Sequence, residues 1–467
     1  MSFDFLPFAH ALAARQDLPI PAWLFAWAAS IVLIVSFYAL SAGWRTSRLE
    51  GDHWRPLGSD GLSRALLGVP VQAICGLIGI FLLGLVIYSG LHGTDAPDRN
   101  FAVTFIFVTA WLGFPLVGVL LGDLFRAFNP WRAAGRAVGW GFRAIARQPP
   151  ARLPYPERLG RWPAAAGLVA FVWLEVVYGS TGGITTAISP HSTAVAALVY
   201  SIYTLAMMAL FGVEKWCSRG ETFSVYFGMF STIGPLEARD GRLGRRRPLS
   251  ATTKWAVVPG SVAVVIASIS TTSFDGAQEG VLKNAISSMF NRLADANVDL
   301  TWALRLTDSF YMLVVLIGVS AVYLIGVQGM RTIRNAPPAA ELRRDFAHTL
   351  IPIAFAYLVA HYFSLFVYQE QAQFTYLLSD PLGTGTTDLF GTAGGSVNYG
   401  VISANAIWYV QVGALVAGHV TGLILAHDRA IAIWEDYREA TRSQYWMLGV
   451  MVGFTCFGLY LLSSANG

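Results

Sequence analysis

Three ionisable residues lie well inside long apolar stretches of the sequence. Glu175 occurs in FVWLEVVYGSTGG, His361 in LVAHYFSLF and His419 in GHVTGLILAHDRA. An ionisable side chain in hydrocarbon costs about 3 kcal/mol on the insertion scale, so such residues usually serve a function. A carboxylate and two imidazoles can bind a divalent metal ion or act as general acid and base. The sequence therefore predicts Glu175, His361 and His419 as catalytic residues and as metal ligands.

Spacing limits which histidines can act together. His419 and His427 are eight residues apart, which on a helix means about 12 Å of rise and roughly 80° of rotation, so they cannot bind one metal ion. His348 and His427 fall at the ends of apolar stretches, where a hydrogen bond to a neighbouring helix explains them without a special role. Asp428 and Arg429 follow His427 and are expected to be solvated.

Depth in the bilayer predicts which residues can meet. With helix ends read from the sequence, His361 lies about 8 Å below the outer boundary and His419 about 11 Å above the inner one. With about 30 Å of hydrocarbon, the two are offset by roughly 10 Å, which disfavours a bis-histidine haem. Glu175 lies about 18 Å above the inner boundary, within reach of the level of His419. These two could share a proton or a metal ion.

Membrane-spanning helices must position these residues. Of the 467 residues, 55% are hydrophobic and only 13% are charged, a composition outside the range of soluble globular proteins. About twenty apolar residues cross the hydrocarbon as a helix. The pattern predicts an all-α polytopic membrane protein, a single transmembrane domain over residues 1–467 with about ten transmembrane helices. These are Ala22–Trp44, Pro70–Leu91, Ala102–Gly122, Pro163–Gly182, Thr193–Val213, Trp255–Ser273, Asp308–Met330, Phe346–Phe366, Ala404–Ala426 and Tyr445–Ser463.

Basic residues predict the orientation. Alternate connections between these helices hold 27 of the 32 Lys and Arg residues. The positive-inside rule places that set in the cytoplasm and both termini outside. The N-terminus lacks the basic start of a signal peptide, so the first helix is expected to remain in the mature chain.

Two cytoplasmic connections, residues 123–162 and 214–254, each contain a predicted amphipathic interfacial helix. The first has arginines among aromatic residues and a predicted break at Asn129-Pro130. The second contains SRGETFSVYFGMFSTIGP, with a capping-box pattern from Ser218 to Glu221 and a stop at Gly234-Pro235. Both helices are expected to lie flat against the membrane.

Two outer connections, residues 274–307 and 367–403, are long. The second contains no Lys or Arg and is rich in Gly, Thr and Asp. It predicts an acidic, loop-like lid that includes Asp380 and Asp388.

Familiar catalytic motifs are absent: the chain has no GxSxG, HExxH, P-loop or GxGxxG. GSTGG, from Gly179 to Gly183, reads as a turn at the end of a helix. The three cysteines are scattered and predict neither a disulfide framework nor a thiolate metal site. The basic surface faces the membrane, so nucleic acid is not an expected partner.

Several stretches resemble the bacterial integral membrane proteins named fenitrothion hydrolases. They include GDLFRAFNPWRA, FSVYFGMFSTIGPL, LLSDPLGTGTTDLFGTA and GHVTGLILAHDRA, and the likeness covers nearly the whole chain. The resemblance implies hydrolysis of an aryl phosphotriester or related apolar ester that reaches the protein from the bilayer. A divalent metal ion held by His419 and Glu175, with His361 assisting, would activate water and stabilise the developing charge.

Two other functions agree with the same residues. A proton-coupled transporter would use Glu175, His361 and His419 as a staggered proton path, and their stepped depths suit it. A membrane assembly subunit would need no chemistry. It would act in a homo-oligomer or with a related membrane subunit.

Overall fold

The computed structural model describes residues 22–147, 151–179, 188–255, 258–278, 280–434 and 436–464. Helices dominate these ranges. Two expectations concern residues outside them, namely the outer position of the N-terminal tail and most of the turn at Gly179–Gly183.

Nineteen α-helices occur in the described ranges. They are α1 Ala22–Gly43, α2 Asp60–Leu67, α3 Val69–His92, α4 Phe101–Thr104, α5 Trp111–Leu121, α6 Phe125–Phe128, α7 Pro130–Ala146, α8 Trp162–Trp173, α9 Pro190–Phe211, α10 Val213–Arg219, α11 Thr222–Ser231, α12 Ser261–Gln278, α13 Lys283–Asp295, α14 Leu300–Met330, α15 Ala339–Asp345, α16 Ile351–Ala372, α17 Ala404–Ile433, α18 Tyr437–Ser443 and α19 Tyr445–Ser464. Three π-helical segments continue or precede them, Phe105–Ala110, Leu174–Tyr178 and Gln373–Leu377, and a 3₁₀ turn spans Ala347–Leu350. The strands are β1 Arg55–Pro56, β2 Leu236–Arg239 and β3 Arg242–Arg245.

Eight of the described helices are long and apolar enough to cross a membrane, which indicates a membrane protein. Each coincides with one of the ten predicted transmembrane helices. They are Leu24–Gly43, Asp60–His92, Phe101–Leu121, Pro190–Phe211, Leu300–Met330, Ala347–Leu377, Ala404–Ile433 and Tyr437–Leu461. The other two predicted helices correspond to the shorter apolar stretch Trp162–Tyr178 and to α12.

α12 lies at the centre of the bundle, where it packs against α8, α14 and α16. Fifteen of its 18 residues are buried, so it has little surface for lipid and does not need the apolar composition of a lipid-facing helix. Its many Ser, Ala and Gly residues let neighbouring helices approach closely. Thr271 and Thr272 satisfy their hydroxyls within α12, by donating to the carbonyls of Ala267 and Ser268 at 2.8 and 3.1 Å.

The two ends of the bundle have different character. At one end, which we call the basic end, β1, β3 and β2 form an antiparallel sheet in that order. The sheet joins the connection after α1 to the connection after α11, so both lie on the same side. At the opposite end, the backbone N–H of Thr94 donates to the Leu382 carbonyl at 2.8 Å and joins the connection after α3 to the one after α16. Two connections predicted to be inner are thus joined at one end, and two predicted to be outer are joined at the other.

Of the two predicted interfacial helices, α7 agrees with the sequence. The break occurs at Asn129-Pro130 as expected, since the Asn129 side chain accepts a hydrogen bond from the Arg132 N–H and caps α7. Val138, Trp140 and Ile145 are exposed on its surface. α7 therefore has an apolar surface that no other described helix covers.

The interpretation of α11 as a helix lying flat on the membrane was wrong. Seven of its ten residues are buried, because α11 packs between α5 and α8. The capping box is also absent. Glu221 is itself the N-cap of α11 and accepts hydrogen bonds from the N–H groups of Phe223 and Ser224 at 3.0 and 2.8 Å.

Helices extend into both predicted outer connections. α12 continues to Gln278, and α13 fills much of the region before α14. After α16 and the third π segment, residues 378–403 form a coil. Asp380 and Asp388 hold its shape: Asp380 accepts from the Gly385 N–H at 2.6 Å, and Asp388 from the Ser379 hydroxyl at 2.5 Å.

Candidate functional site

Asp275, in the last turn of α12, is the centre of a buried polar cluster. Its Oδ2 accepts a hydrogen bond from the Tyr362 hydroxyl at 2.7 Å and lies 2.8 Å from His361 Nε2. Gln278 Nε2 donates to its Oδ1 at 3.2 Å. Only 6% of Asp275 and 13% of the His361 side chain are exposed. A carboxylate, an imidazole and a phenol thus meet in a largely dry environment, where a proton can move between neighbouring groups.

His361 and Tyr362 are consecutive residues of α16 and approach Asp275 together. Their rings lie 4.5 Å apart between centroids at an interplanar angle of 74°. The imidazole packs on Gly276, where a Cβ atom would lie 3.4 Å from two of the ring atoms, at van der Waals contact. The Asp-Gly sequence at the end of α12 therefore supplies both the acceptor for His361 and a surface on which its ring packs.

Glu175 belongs to the same cluster. It lies in the second π segment, and its buried Oε2 has no hydrogen-bond partner among the described residues. The charge that acts on it most is that of Asp275, and Tyr362 interacts with both carboxylates. Two carboxylates that interact in an apolar environment each disfavour the negative charge of the other. We call Asp275, His361, Tyr362 and Glu175 the Asp275 cluster.

The meeting of these residues follows from their positions along three helices. α8 and α12 both begin at the basic end, where the N–H of Arg161 donates to the Pro259 carbonyl at 2.7 Å. Glu175 lies 13 residues beyond Trp162, and Asp275 lies 14 residues beyond Ser261, so both are about 20 Å from their helix starts. Because α16 and its π segment continue to Leu377, His361 lies midway along Ala347–Leu377 rather than near an outer end.

The three π segments bring further polar groups into the bundle. Thr109 lies in the first and Gln373 in the third, and Glu370 precedes the third by one turn. Each has a buried side-chain oxygen without a hydrogen-bond partner in the described structure, and Glu370 and Thr109 lie beside each other. π-helical turns occur frequently at functional sites, and here they coincide with polar side chains that packing alone does not explain.

Hydroxyl groups continue along α12 from the Asp275 cluster towards the basic end. Ser273, Ser270 and Ser268 are buried, and within the described ranges their Oγ atoms make no hydrogen bond. Tyr357 lies beside Ser273, and Tyr226 beside Ser268. This series spans about 10 Å of α12 below Asp275.

His419 lies outside the Asp275 cluster. Its Nδ1 is 2.8 Å from the Leu415 carbonyl of its own helix, and its buried Nε2 lacks a partner among the described residues. A Cβ atom at the adjacent Gly418 would overlap Ala356 of α16, which fixes the level of His419. That level is roughly 10 Å from His361 along α16.

His427 and Asp428 form a separate structural cluster near the basic end. Asp428 is fully buried and accepts four hydrogen bonds, from Trp44 Nε1 at 2.9 Å, Ser47 Oγ at 2.9 Å and the N–H groups of Arg48 and Leu49 at 2.6 and 3.0 Å. His427 Nε2 lies 3.0 Å from the Trp44 carbonyl. These contacts agree with the expectation that hydrogen bonds to neighbouring segments explain His427.

The expectation that Asp428 and Arg429 are solvated was wrong. Asp428 is enclosed by the segment that follows α1. Arg429 forms an ion pair with Glu50 at 3.3 Å and donates to the Thr253 carbonyl at 2.9 Å. His348 is also buried, and its Nε2 has no partner within the described ranges.

The predicted metal site is not formed. No group of three or more His, Cys, Asp or Glu side chains in the described ranges is placed to hold a metal ion. The physical reason is the different level of His419, while Glu175 and His361 both lie near Asp275. Comparisons with family models, curated proteins and solved structures give no match.

Asp275 and Tyr362 are the residues that sequence reasoning missed. Asp275 fell in a predicted outer connection because the apolar stretch was ended at Ser273. A signal was present, since SISTTSFDGAQ contains no Lys, Arg or Pro and can continue a helix. A buried helix need not be apolar all round if its neighbours are protein, so hydropathy could not place its end.

Proposed function

We propose that the chain is an inner-membrane protein of bacteria with ten membrane-crossing helices and both termini outside. Two observations support this topology. The basic residues concentrate in alternate connections, and the sheet at the basic end joins two of these connections. In this topology α12 and Trp162–Tyr178 are the two crossings surrounded mainly by protein.

We propose further that the protein binds and releases a proton at the Asp275 cluster and couples this to transport across the membrane. The observation that carries the proposal is the approach of His361 and Tyr362 to one oxygen of Asp275, beside the unpartnered carboxylate oxygen of Glu175. Intramembrane acids and histidines in contact with one another are typical of proton relays.

The surrounding polar groups give this proton a route. Towards the basic end, the hydroxyls of Ser273, Ser270 and Ser268 with Tyr357 and Tyr226 can relay a proton, assisted by water. Towards the opposite end, Glu370 and Thr109 lie in the same group of helices. His419 has no part in this route, which differs from the path expected from the sequence.

Proton flux in liposomes tests the proposal. Purified protein is reconstituted with an internal pH-sensitive dye, and a proton gradient is imposed. We expect the wild-type protein to carry protons, and His361→Asn to reduce the rate by at least about tenfold because the relay loses a step. His419→Asn is the matched control, since it removes an imidazole from inside the bundle but outside the cluster, and it should retain most of the flux. Equal flux in wild type and His361→Asn would contradict the proposal.

Hydrolysis of an apolar ester is a second candidate, and one observation favours it. The carboxylate of Asp275 lies at hydrogen-bond distance from the His361 imidazole, an arrangement that orients a general base. His361 would take a proton from water as the water oxygen attacks phosphorus and the phenolate leaves. Turnover of an aryl phosphotriester by the purified protein, lost in His361→Asn, would support this function. No turnover above that of empty liposomes would remove it.

A further inference from the structure

A cleft of about 450 Å³ opens at the basic end of the molecule, far from the Asp275 cluster. Its walls carry four arginines with one histidine and one acid, Arg55, Arg245, Arg246, Arg247, His53 and Asp52. A cleft of this volume is large enough for a small molecule or a lipid headgroup.

Two of these arginines face each other without compensation. Arg55 of β1 and Arg245 of β3 are directly paired in the sheet, and like charges opposite each other destabilise a strand pair. Neither side chain forms a hydrogen bond or ion pair within the described structure. Among the described residues, the Arg247 side chain donates only to the Arg48 carbonyl, at 3.2 Å. Positive charge therefore accumulates on one wall of the cleft.

The nearby acids are engaged by other cations. Asp52 pairs with Arg239 at 3.0 Å and Lys254 at 3.4 Å, neither of which lines the cleft. Glu237 pairs with Arg246 at 3.0 Å. Asp60 pairs with Arg242, at the far end of β3 from Arg245. The acidic side chains that could neutralise Arg55 and Arg245 are thus already used.

The frame of the cleft is built from buried contacts. The Arg246 side chain is 6% exposed and donates to the carbonyls of Gly234 and Ser231 at 3.0 and 2.8 Å. Trp54 packs on Gly244, where a Cβ atom would overlap its ring, and its Nε1 donates to the Glu237 carbonyl at 3.2 Å. These contacts fix the strands, so the arginines are held together despite their mutual repulsion.

We propose that this cleft binds the phosphate group of an anionic ligand. Guanidinium groups match phosphate oxygens in paired hydrogen bonds, and one phosphate can neutralise several of them. The bound anion would remove the repulsion between Arg55 and Arg245. The geometry favours an acidic phospholipid headgroup, because α2 follows the cleft directly and exposes Leu62 and Leu66 beside Leu57. A soluble phosphorylated compound offers the same chemistry.

Binding to protein in detergent distinguishes the two sources. One arm measures binding of dioleoylphosphatidylglycerol against dioleoylphosphatidylcholine by native mass spectrometry. The other follows the melting temperature with added inorganic phosphate. Arg245→Gln is compared with Arg242→Gln, which removes the same charge from the same strand outside the cleft. Arg55→Gln tests the opposite wall if Arg245→Gln fails to fold.

If the site binds lipid, the wild-type protein prefers dioleoylphosphatidylglycerol to dioleoylphosphatidylcholine by about tenfold or more. Arg245→Gln loses this preference, and Arg242→Gln keeps it. For a soluble ligand, phosphate raises the melting temperature of the wild type and not of Arg245→Gln, and the lipid preference is absent. Without anions, Arg245→Gln should melt above the wild type because the repulsion is relieved. Equal responses of wild type, Arg245→Gln and Arg55→Gln to both ligands would overturn the proposal.

Discussion

Two pairs of aspartate and histidine lie inside the bundle in the described ranges, and their surroundings differ. Asp428, beside His427, accepts hydrogen bonds from two backbone N–H groups, an indole and a serine hydroxyl. None of these donors gives up its proton in the physiological range. Asp275 instead meets His361 and Tyr362, with Glu175 close by. Its partners thus include an imidazole, which can both donate and accept a proton.

Burial of a carboxylate does not by itself indicate chemistry. A carboxylate whose oxygens are saturated by fixed donors holds a fold together, and Asp428 fastens the segment after α1 to α17. A carboxylate whose partners are titratable, beside a second acid with an unpartnered oxygen, can exchange a proton. The identity of the donors separates the two cases.

The largest expected effect is that of Asp428→Ala on stability. It leaves four donors without their acceptor, and a buried unsatisfied donor costs about 1 to 3 kcal/mol. The free energy of unfolding should fall by about 4 kcal/mol or more, which thermal melting in detergent would detect. Ser47→Ala removes one of the four donors and should cost only about 1 kcal/mol. Equal melting temperatures of Asp428→Ala and wild type would contradict the role of Asp428 in holding the fold together.

Asp275→Asn should affect proton flux strongly and stability only slightly. The amide has the size of the carboxylate, and its oxygen can still accept from Tyr362, so we expect the melting temperature to fall by a few degrees at most. Proton flux in liposomes should fall at least about tenfold, since the titratable acceptor is lost. A folded Asp275→Asn protein with wild-type proton flux would contradict the role of Asp275 in proton exchange.

Glu175→Gln sharpens the assignment within the Asp275 cluster. The neutral amide removes the repulsion from Asp275 and adds a donor for its surroundings, so the melting temperature should equal or exceed that of the wild type. Proton flux should decrease. A clear loss of stability with unchanged flux would show that Glu175 is a packing residue.

The smallest effect concerns a third carboxylate, at the surface of the coil 378–403. The Ser379 hydroxyl, with backbone N–H groups, holds the pKa of Asp388 below its usual value. A lowered folded pKa means that its contribution is present above about pH 4 and is lost as the pH falls through the folded value. Because the activity of pepsin itself depends on pH, the cutting rate of the wild type is divided by that of Asp388→Asn at each pH. We expect this ratio to be below one at about pH 5, where the Asp388 carboxylate holds the coil, and to rise towards one at about pH 3. A ratio that does not change with pH would contradict this.

The sequence predicted the helices better than their contacts. Eight predicted crossings coincide with long apolar helices, because a lipid-facing helix must be apolar along most of its length. Apolar composition does not identify all of α12. It is surrounded by protein, so its polar last turn with Asp275 remained hidden. The π segments were also not predicted, since they depend on tertiary packing rather than on composition.

The candidate site was half predicted. Glu175 and His361 were correctly identified as buried ionisable residues, and the structure places both near Asp275. His419 carried the same sequence signal and lies elsewhere. The register of α17 against α16 sets the level of His419, through the close approach of Gly418 to Ala356. A single sequence does not determine the register between two helices.

An infrared titration tests the exchange of a proton at the Asp275 cluster most directly. Purified protein in lipid is taken through a pH series, and the carbonyl stretch of protonated carboxyl groups is followed. We expect a band from a buried carboxyl group that disappears in both Glu175→Gln and Asp275→Asn and persists in His419→Asn. If the same band persists with the same pH dependence in the double variant Glu175→Gln and Asp275→Asn, the Asp275 cluster does not exchange the proton.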